Sequence, residues 1–465
     1  MKQLILFLFL VLSHIVVLSQ SKPDFNTFFL DRTMRIDLFF TGDAKEQIVT
    51  VDRIKQEGIW SENPAGLIEP YNYGPYVLKV VDVASNQLIF TKSFSSIFAE
   101  YRTTTPALNG VKRVYDKSVR IPFPKRSVQF VLESRDKKNL LSPVFTITID
   151  PADYHILKES MEPNDYIYTA LNNGDPKQHV DLVLLGEGYT ASEKDKFKAD
   201  VDRMMGYLFE VEPYKSAKAK FNVFGVLRPS AESAMDEPRQ GKFKKTTFNA
   251  SFNAFDTDRY MLTEENRRIH DVASQVPCDA IVIIVNSKRY GGGGIYGDYA
   301  ISTADNNASK MVMIHEFGHS FAGLADEYYT SDVAYNDLYP KGVEPLEPNI
   351  TALLDPTHVK WQEQLSPGID IPTKYGKDEI EALQEERRNN RDKAKEIEEK
   401  IQSIRKQYSP LNDKVGVFEG AGYSSKGLFR PMVYCIMISH PKNEFCLVCQ
   451  IAIQQMIEHY TAQAH

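Results

Sequence analysis

Between residues 21 and 154 the chain alternates apolar and polar positions over short runs. Residues 33–40 read T-M-R-I-D-L-F-F, and similar runs cover 76–83, 88–94, 119–122, 127–132 and 145–149. Turn formers separate them: Thr41-Gly42-Asp43, Asn109-Gly110 and Ser134-Arg135-Asp136. Residues two apart share one face of a strand, so this pattern predicts an all-β sandwich. Residues 155–176 are polar, carry Pro and Gly, and read as a linker. From 177 to 465 the period changes. Compact apolar runs at 181–185, 221–227 and 280–285 suit strands buried on both faces, and 191–211 and 258–272 have helical periodicity. That β-α-β order favours parallel pairing. A glycine-rich turn at 290–297 precedes a short strand at 298–302, whose free edge could take an extended peptide as an added strand. The apolar run 311–314 then opens a further helix.

Two later stretches differ again. Residues 331–375 are Pro-rich and irregular, a candidate cleft-lining loop. Residues 377–408 are strongly charged, with a seam at Ile380, Leu383, Arg387, Asn390, Ala394, Ile397, Ile401, Ile404 and Tyr408, spaced three and four apart. This predicts an inserted charged helix of roughly 45 Å, or a helical hairpin, because Arg387 and Asn390 interrupt the seam.

Composition narrows the class. Hydrophobic residues make up 42% and charged residues 25% of 465, ordinary for a globular chain long enough for two or more domains. A net charge of −7 without a basic stripe argues against nucleic acid as a partner. Residues 1–19 stand apart: Lys2, then an apolar run from 4 to 18 broken only by Ser13 and His14, then Ser19, Gln20 and Ser21. This reads as a secretory signal peptide, its apolar core being short for a span. The mature form is then expected to be secreted, periplasmic or surface-located, with no membrane span. Four cysteines are present, Cys278, Cys435, Cys446 and Cys449. The last two form C-x-x-C, open to a redox pair or a zinc knuckle lacking an evident fourth ligand; a local disulfide or buried thiols is the simpler reading. Trp60, Tyr71, Tyr73 and Tyr76 could meet a glycan, but such aromatics more often pack in a core.

The chemistry concentrates at 311–328, M-V-M-I-H-E-F-G-H-S-F-A-G-L-A-D-E-Y. His315 and His319 are four apart, on one helix face, and can share one Zn2+ ion, with Glu316 beside them to accept a proton from an activated water. This is the pattern of a zinc peptidase. The metzincin pattern would place Gly at 322 and His at 325, where this chain has Ala322 and Ala325. Gly323 and Asp326 repeat that spacing one residue later, making Asp326 the candidate third ligand and Glu327 the alternative. Met437 is the candidate for a methionine turn beneath the metal, in competition with Met432. Tyr423 and Tyr434 are candidates for oxyanion or cleft contacts. The glycines at 291–294 lack the flanks of a nucleotide-binding loop.

Further blocks accompany this motif: G-E-G-Y-T at 186–190, K-W at 360–361, V-G-V-F-E-G-A at 415–421, R-P at 430–431, C-I-M at 435–437 and F-C-L-V-C-Q at 445–450. With these, the chain resembles the bacterial IgA-cleaving metallopeptidase family (metallopeptidase family 64), a metzincin-like group of zinc endopeptidases. The resemblance implies an α+β multidomain chain, an N-terminal all-β sandwich over 21–154 followed by a metzincin-like α/β zinc peptidase domain over 177–465. It also implies a protein or glycoprotein substrate, without specifying IgA. Two other function classes compete. One is a non-enzymatic surface module that binds glycan or protein around a structural metal; an intact Glu316 speaks against it. The other is a different zinc hydrolase, such as a peptidoglycan amidase.

Overall fold

A computed structural model describes residues 22–158, 165–329, 338–438 and 443–462. The stretch 1–19, expected to be a signal peptide, lies outside them. The N-terminal part holds two four-stranded sheets. One has the order β5-β1-β2-β8, from β1 (Phe29–Gly42), β2 (Gln47–Gln56), β5 (Arg113–Pro124) and β8 (Leu157–Lys158). The other has the order β4-β3-β6-β7, from β3 (Tyr76–Asp82), β4 (Leu88–Phe94), β6 (Val128–Arg135) and β7 (Leu141–Ile149). Alternation decides what faces inward: Ile36, Leu38 and Phe40 of β1 share one core with Leu78 and Val80 of β3 and Phe130 and Leu132 of β6. The Phe40 and Tyr76 rings meet edge to face across it at 5.1 Å. Three short helices, α1 (Phe25–Phe28), α2 (Ile97–Tyr101) and α3 (Thr105–Leu108), fill its margins. Strand β2 lies outside the runs expected from the pattern, because its sequence QIVTVDRIKQ is mostly half-buried and shows no clean alternation.

The second part is built on a six-stranded sheet of order β13-β14-β12-β10-β11-β9. Strands β10 (Val180–Glu187), β11 (Phe221–Leu227), β12 (Ala280–Val285) and β14 (Ala300–Thr303) run parallel. Both outer strands are antiparallel, β9 (Tyr166–Leu171) beside β11 and β13 (Gly292–Gly294) beside β14. Thus the stretch expected as a linker contributes a strand to each part, β8 and β9. Its Y-I-Y-T-A-L run is half-exposed at a sheet edge, so its pattern is faint. The parallel strands are buried on both faces, which suits their largely apolar runs. Leu182 and Leu184 face a layer made by α4 (Lys194–Leu208), α6 (Ser309–Ala322) and α9 (Leu447–Thr461). Val183 and Leu185 face the other way, into a core continuous with the N-terminal sandwich and with α5 (Asn266–Ala273).

Helix α5 is shorter than the 258–272 periodicity suggests. Residues 260 and 262 are instead drawn into extended bridges, Tyr260 to Gly292 and Leu262 to Ser251. The charged stretch 377–408 forms two helices, α7 (Lys377–Asn389) and α8 (Ala394–Tyr408), rather than one. The helix ends at Asn390, whose φ of −130° and ψ of 75° leave the helical region, and Arg387 Nη1 binds Glu398 Oε2 at 2.6 Å across the hairpin. A two-stranded hairpin, β15 (Phe418–Ala421) and β16 (Ser424–Arg430), follows. Among the described residues no helix is long and apolar enough to cross a membrane.

Candidate metal centre and cleft

Helix α6 carries the H-E-x-x-H motif and ends at Gly323, whose φ of 62° is in the left-handed region where glycine costs least. The Gly323 and Leu324 amides bond back to the His319 and Gly318 carbonyls, and the chain reverses over the helix end. That reversal brings two groups to the histidines. The Leu324 carbonyl accepts a bond from His319 Nδ1 at 2.5 Å, and the Asp326 carboxylate lies against both rings. His315 Nδ1 donates to the Ile436 carbonyl at 3.1 Å. With both Nδ1 atoms committed, both Nε2 atoms face Asp326 Oδ1, at 3.0 Å from His315 and 3.4 Å from His319, and lie 3.0 Å from each other.

In neutral imidazoles those Nε2 atoms present lone pairs. Three lone-pair atoms converging on one buried point repel unless a cation sits between them. Tetrahedral ligands at zinc-like distances are separated by about 3.3–3.5 Å, close to the spacings here. Asp326 Oδ1 is buried without a hydrogen-bond partner, and Oδ2 accepts the Tyr423 hydroxyl. His315, His319 and Asp326 therefore fit one metal ion. Without an ion the same geometry turns to proton binding. Burial acts to lower the histidine pKa values, but Asp326 outweighs it, raising His315 and pushing His319 up to about 9. The Asp326 carboxyl moves the opposite way: burial raises it, yet the two imidazoles hold it well below the usual carboxylate range.

Glu316 faces strand β13. A Cβ on Gly292 would fall 2.8 Å from Glu316 Oε1, and one on Gly294 2.4 Å from the Glu316 carbonyl, so both positions need glycine for the strand to lie against α6. Burial raises the Glu316 carboxyl pKa, partly countered by His315, His319 and Arg259. The edge strand is β13, not the 298–302 segment; β14 is interior, and Asp298 forms a buried pair with Lys117. Part of the outer edge of β13 is taken, because the Met261 amide bonds the Gly292 carbonyl at 3.2 Å.

The remaining candidates divide. Met437 is buried beneath α6, its Sδ 3.2 Å from where a Gly318 Cβ would be, and its carbonyl accepts the Glu327 amide. Met432 is only partly buried. Tyr423 lines the cleft; Tyr434 is on the surface outside its lining. Glu327 does not join the histidines. Its carboxylate is fully buried among Cys435, Cys446 and Cys449, all free thiols rather than a disulfide.

The site opens into a cleft of about 670 Å³ whose far wall comes from the N-terminal sandwich, through Tyr73, Arg102 and Arg135. No sequence signal marked the arginines. Tyr73, of the aromatic cluster Tyr71, Tyr73 and Tyr76, stacks on Tyr71 and meets Tyr296 across the two parts. Trp60 is a core residue against Phe90.

Residues 169–457 match a protein-family model described as IgA peptidase M64, and residues 24–146 match the one described as the peptidase M64 N-terminus. Comparison with curated proteins gave no match.

Proposed function

Because the chain belongs to the IgA peptidase M64 family, we propose that it is an exported zinc-dependent endopeptidase of metzincin-like architecture, cutting proteins or glycoproteins, IgA-like chains among the possible substrates. The observation that carries this reading is the convergence of His315 Nε2, His319 Nε2 and Asp326 Oδ1 beside the Glu316 carboxylate, in a cleft open to both parts of the chain. His315, His319 and Asp326 would hold the zinc, which when bound supplies Lewis acidity to a water and to the scissile carbonyl. Glu316 accepts the proton of the attacking water, then delivers it to the leaving amine. Its burial suits both roles, since a raised carboxyl pKa makes the protonated form a usable donor. The Leu324 and Ile436 carbonyls fix the imidazoles with Nε2 inward, and Tyr423 fixes Asp326. A base beside the ligands favours hydrolysis over a purely structural metal.

The test compares the full chain with Glu316→Ala on a broad panel of extracellular proteins, reading new termini by mass spectrometry and zinc by elemental analysis. Expected are chelator-sensitive internal cleavage by the wild type and a variant that keeps zinc but loses at least about 100-fold in rate. Near-wild-type hydrolysis by the variant defeats the mechanism. Products lacking new peptide termini would favour another zinc hydrolase.

A further inference from the structure

Three cysteines have no part in that hydrolysis, yet they meet at one point. The sulfurs of Cys435, Cys446 and Cys449 and a carboxylate oxygen of Glu327 all lie within 4.8 Å of one another. Their residues are 0%, 3%, 0% and 0% exposed, respectively. They come from three separate segments. Glu327 follows α6, Cys435 precedes the Met437 turn, and Cys446 caps α9 with Cys449 in its first turn.

The spacing favours a metal over a disulfide. Cys435 and Cys449 Sγ are 3.7 Å apart, where a bonded pair would be at about 2.05 Å. Sulfurs at the corners of a tetrahedron, each about 2.3 Å from zinc, stand about 3.8 Å apart. Glu327 Oε1 is 3.1 Å from Cys449 Sγ and 3.7 Å from Cys446 Sγ, and accepts Asn349 Nδ2 at 3.0 Å. Glu327 Oε2 is buried with no hydrogen-bond partner, a costly state for a carboxylate oxygen. Backbone amides point at the sulfurs: Cys446 N–H to Cys435 Sγ at 3.3 Å, and Cys449 N–H to Cys446 Sγ at 3.5 Å. Amides in the first turn of a helix stabilise thiolates, the form that binds metal.

We propose that Glu327, Cys435, Cys446 and Cys449 form a second, structural zinc site of Cys3Glu type. Sulfur-rich tetrahedral donors select zinc among common divalent ions. Binding exchanges three thiol protons for one dication, and no electron moves. The site would pin the chain where it matters most. Asp326 and Glu327 are neighbours that face different ligand sets. Cys435 is two residues before Met437, whose carbonyl holds the Glu327 amide at 2.9 Å. One ion would thus fix the path of Asp326, the turn under α6 and the start of α9.

Metal content of the purified full chain tests this separately from catalysis. In His315→Ala/His319→Ala one zinc equivalent per chain is expected to remain. In Cys446→Ser/Cys449→Ser that equivalent is expected to be lost and the melting temperature to fall. If the serine variant does not fold, cobalt substitution in the histidine variant decides, with thiolate-to-metal charge-transfer absorption expected in the near ultraviolet. Absence of that absorption, or no metal in the histidine variant, overturns the second site without touching the first. So does a thiol titration of the denatured, unreduced chain that finds two reactive thiols instead of four. A wild type with one zinc that survives loss of both histidines would uphold this site and count against the catalytic one.

Discussion

Asp326 and Glu327 are adjacent acids with opposite surroundings, and the difference rests on one turn. The left-handed Gly323 reverses the chain so that residue 326 meets the imidazoles and residue 327 is turned towards the sulfurs. Asp326→Ala is expected to lower zinc affinity at the histidine site and abolish cleavage, while leaving the cysteine-bound equivalent; equilibrium dialysis of the full chain measures both. Loss of the cysteine-bound ion instead would exchange the two roles. Tyr423 acts one step further out, through its bond to Asp326 Oδ2. Removing such a partner typically costs 10–100-fold in metal affinity or activity. Tyr423→Phe should therefore keep the fold and lose about 10-fold in kcat/KM, with weaker zinc binding in parallel. Unchanged zinc affinity in that variant would show the bond to be idle.

At the level of elements, the tightest constraint is between β13 and α6. An alanine at 294 would place its Cβ 2.4 Å from the Glu316 carbonyl and 3.0 Å from His319 Cβ. Overpacking of that kind costs typically 1–3 kcal/mol, and here it also separates the strand from the helix that bears the motif. Gly294→Ala is expected to lower both the unfolding midpoint in urea and kcat; a wild-type rate would show that the strand can shift at no cost. The α7–α8 hairpin makes the opposite case. Ile397 and Ile401 are buried, yet they pack outside the main cores, and Gly376 lies against Tyr408, so the hairpin's two ends meet. Replacing residues 380–406 with a short Gly-Ser linker should leave the unfolding free energy, measured in urea, within about 1 kcal/mol of wild type; a larger loss would show that the hairpin supports the fold.

These elements also explain what could be read from the chain beforehand. Strands β10, β11 and β12 are apolar on both faces and announce themselves; so do two histidines on one helical turn. Strands β2 and β9 are half-exposed and carry little pattern. The cysteine cluster could not be assembled, because Glu327 reaches it across more than a hundred residues from Cys435, and no periodicity records that contact. The arginines on the far wall of the cleft depend on how the sandwich docks, which no local pattern encodes.

At the scale of the whole molecule, the sandwich and the six-stranded sheet share one apolar core, and one ion pair between them is buried with it. Lys117 Nζ meets Asp298 Oδ2 at 2.9 Å with side chains 3% and 1% exposed. Lys117→Met would leave that carboxylate buried without a cation, held by Asn266 Nδ2 at 2.7 Å, and urea unfolding should show a loss of about 3–5 kcal/mol. A second buried acidic site responds to pH. Asp181 Oδ1 accepts Asn222 Nδ2 at 2.8 Å, and Asp279 Oδ2 accepts the Asp181 amide at 2.8 Å. Ser61 of the sandwich donates to Asp279 Oδ1 at 3.1 Å. Burial pushes the Asp181 carboxyl up to about 7, and burial together with Asp181 raises Asp279 well above the ordinary value of 3.8. An unfolded chain releases these protons near the ordinary value, while the folded chain keeps them. Between the two the native state binds more protons, so stability falls as pH rises, by up to about 1.4 kcal/mol per pH unit for each proton. The contribution is whole below the unfolded pKa and is lost as pH rises through the folded one. Asp181→Asn keeps the acceptor for Asn222 but cannot ionise. Its stability relative to wild type, from urea unfolding, should therefore rise steadily between about pH 4 and 7 and level off above. Parallel stability curves for the two chains would mean that Asp181 is ionised in the folded protein and that its burial does not control its charge.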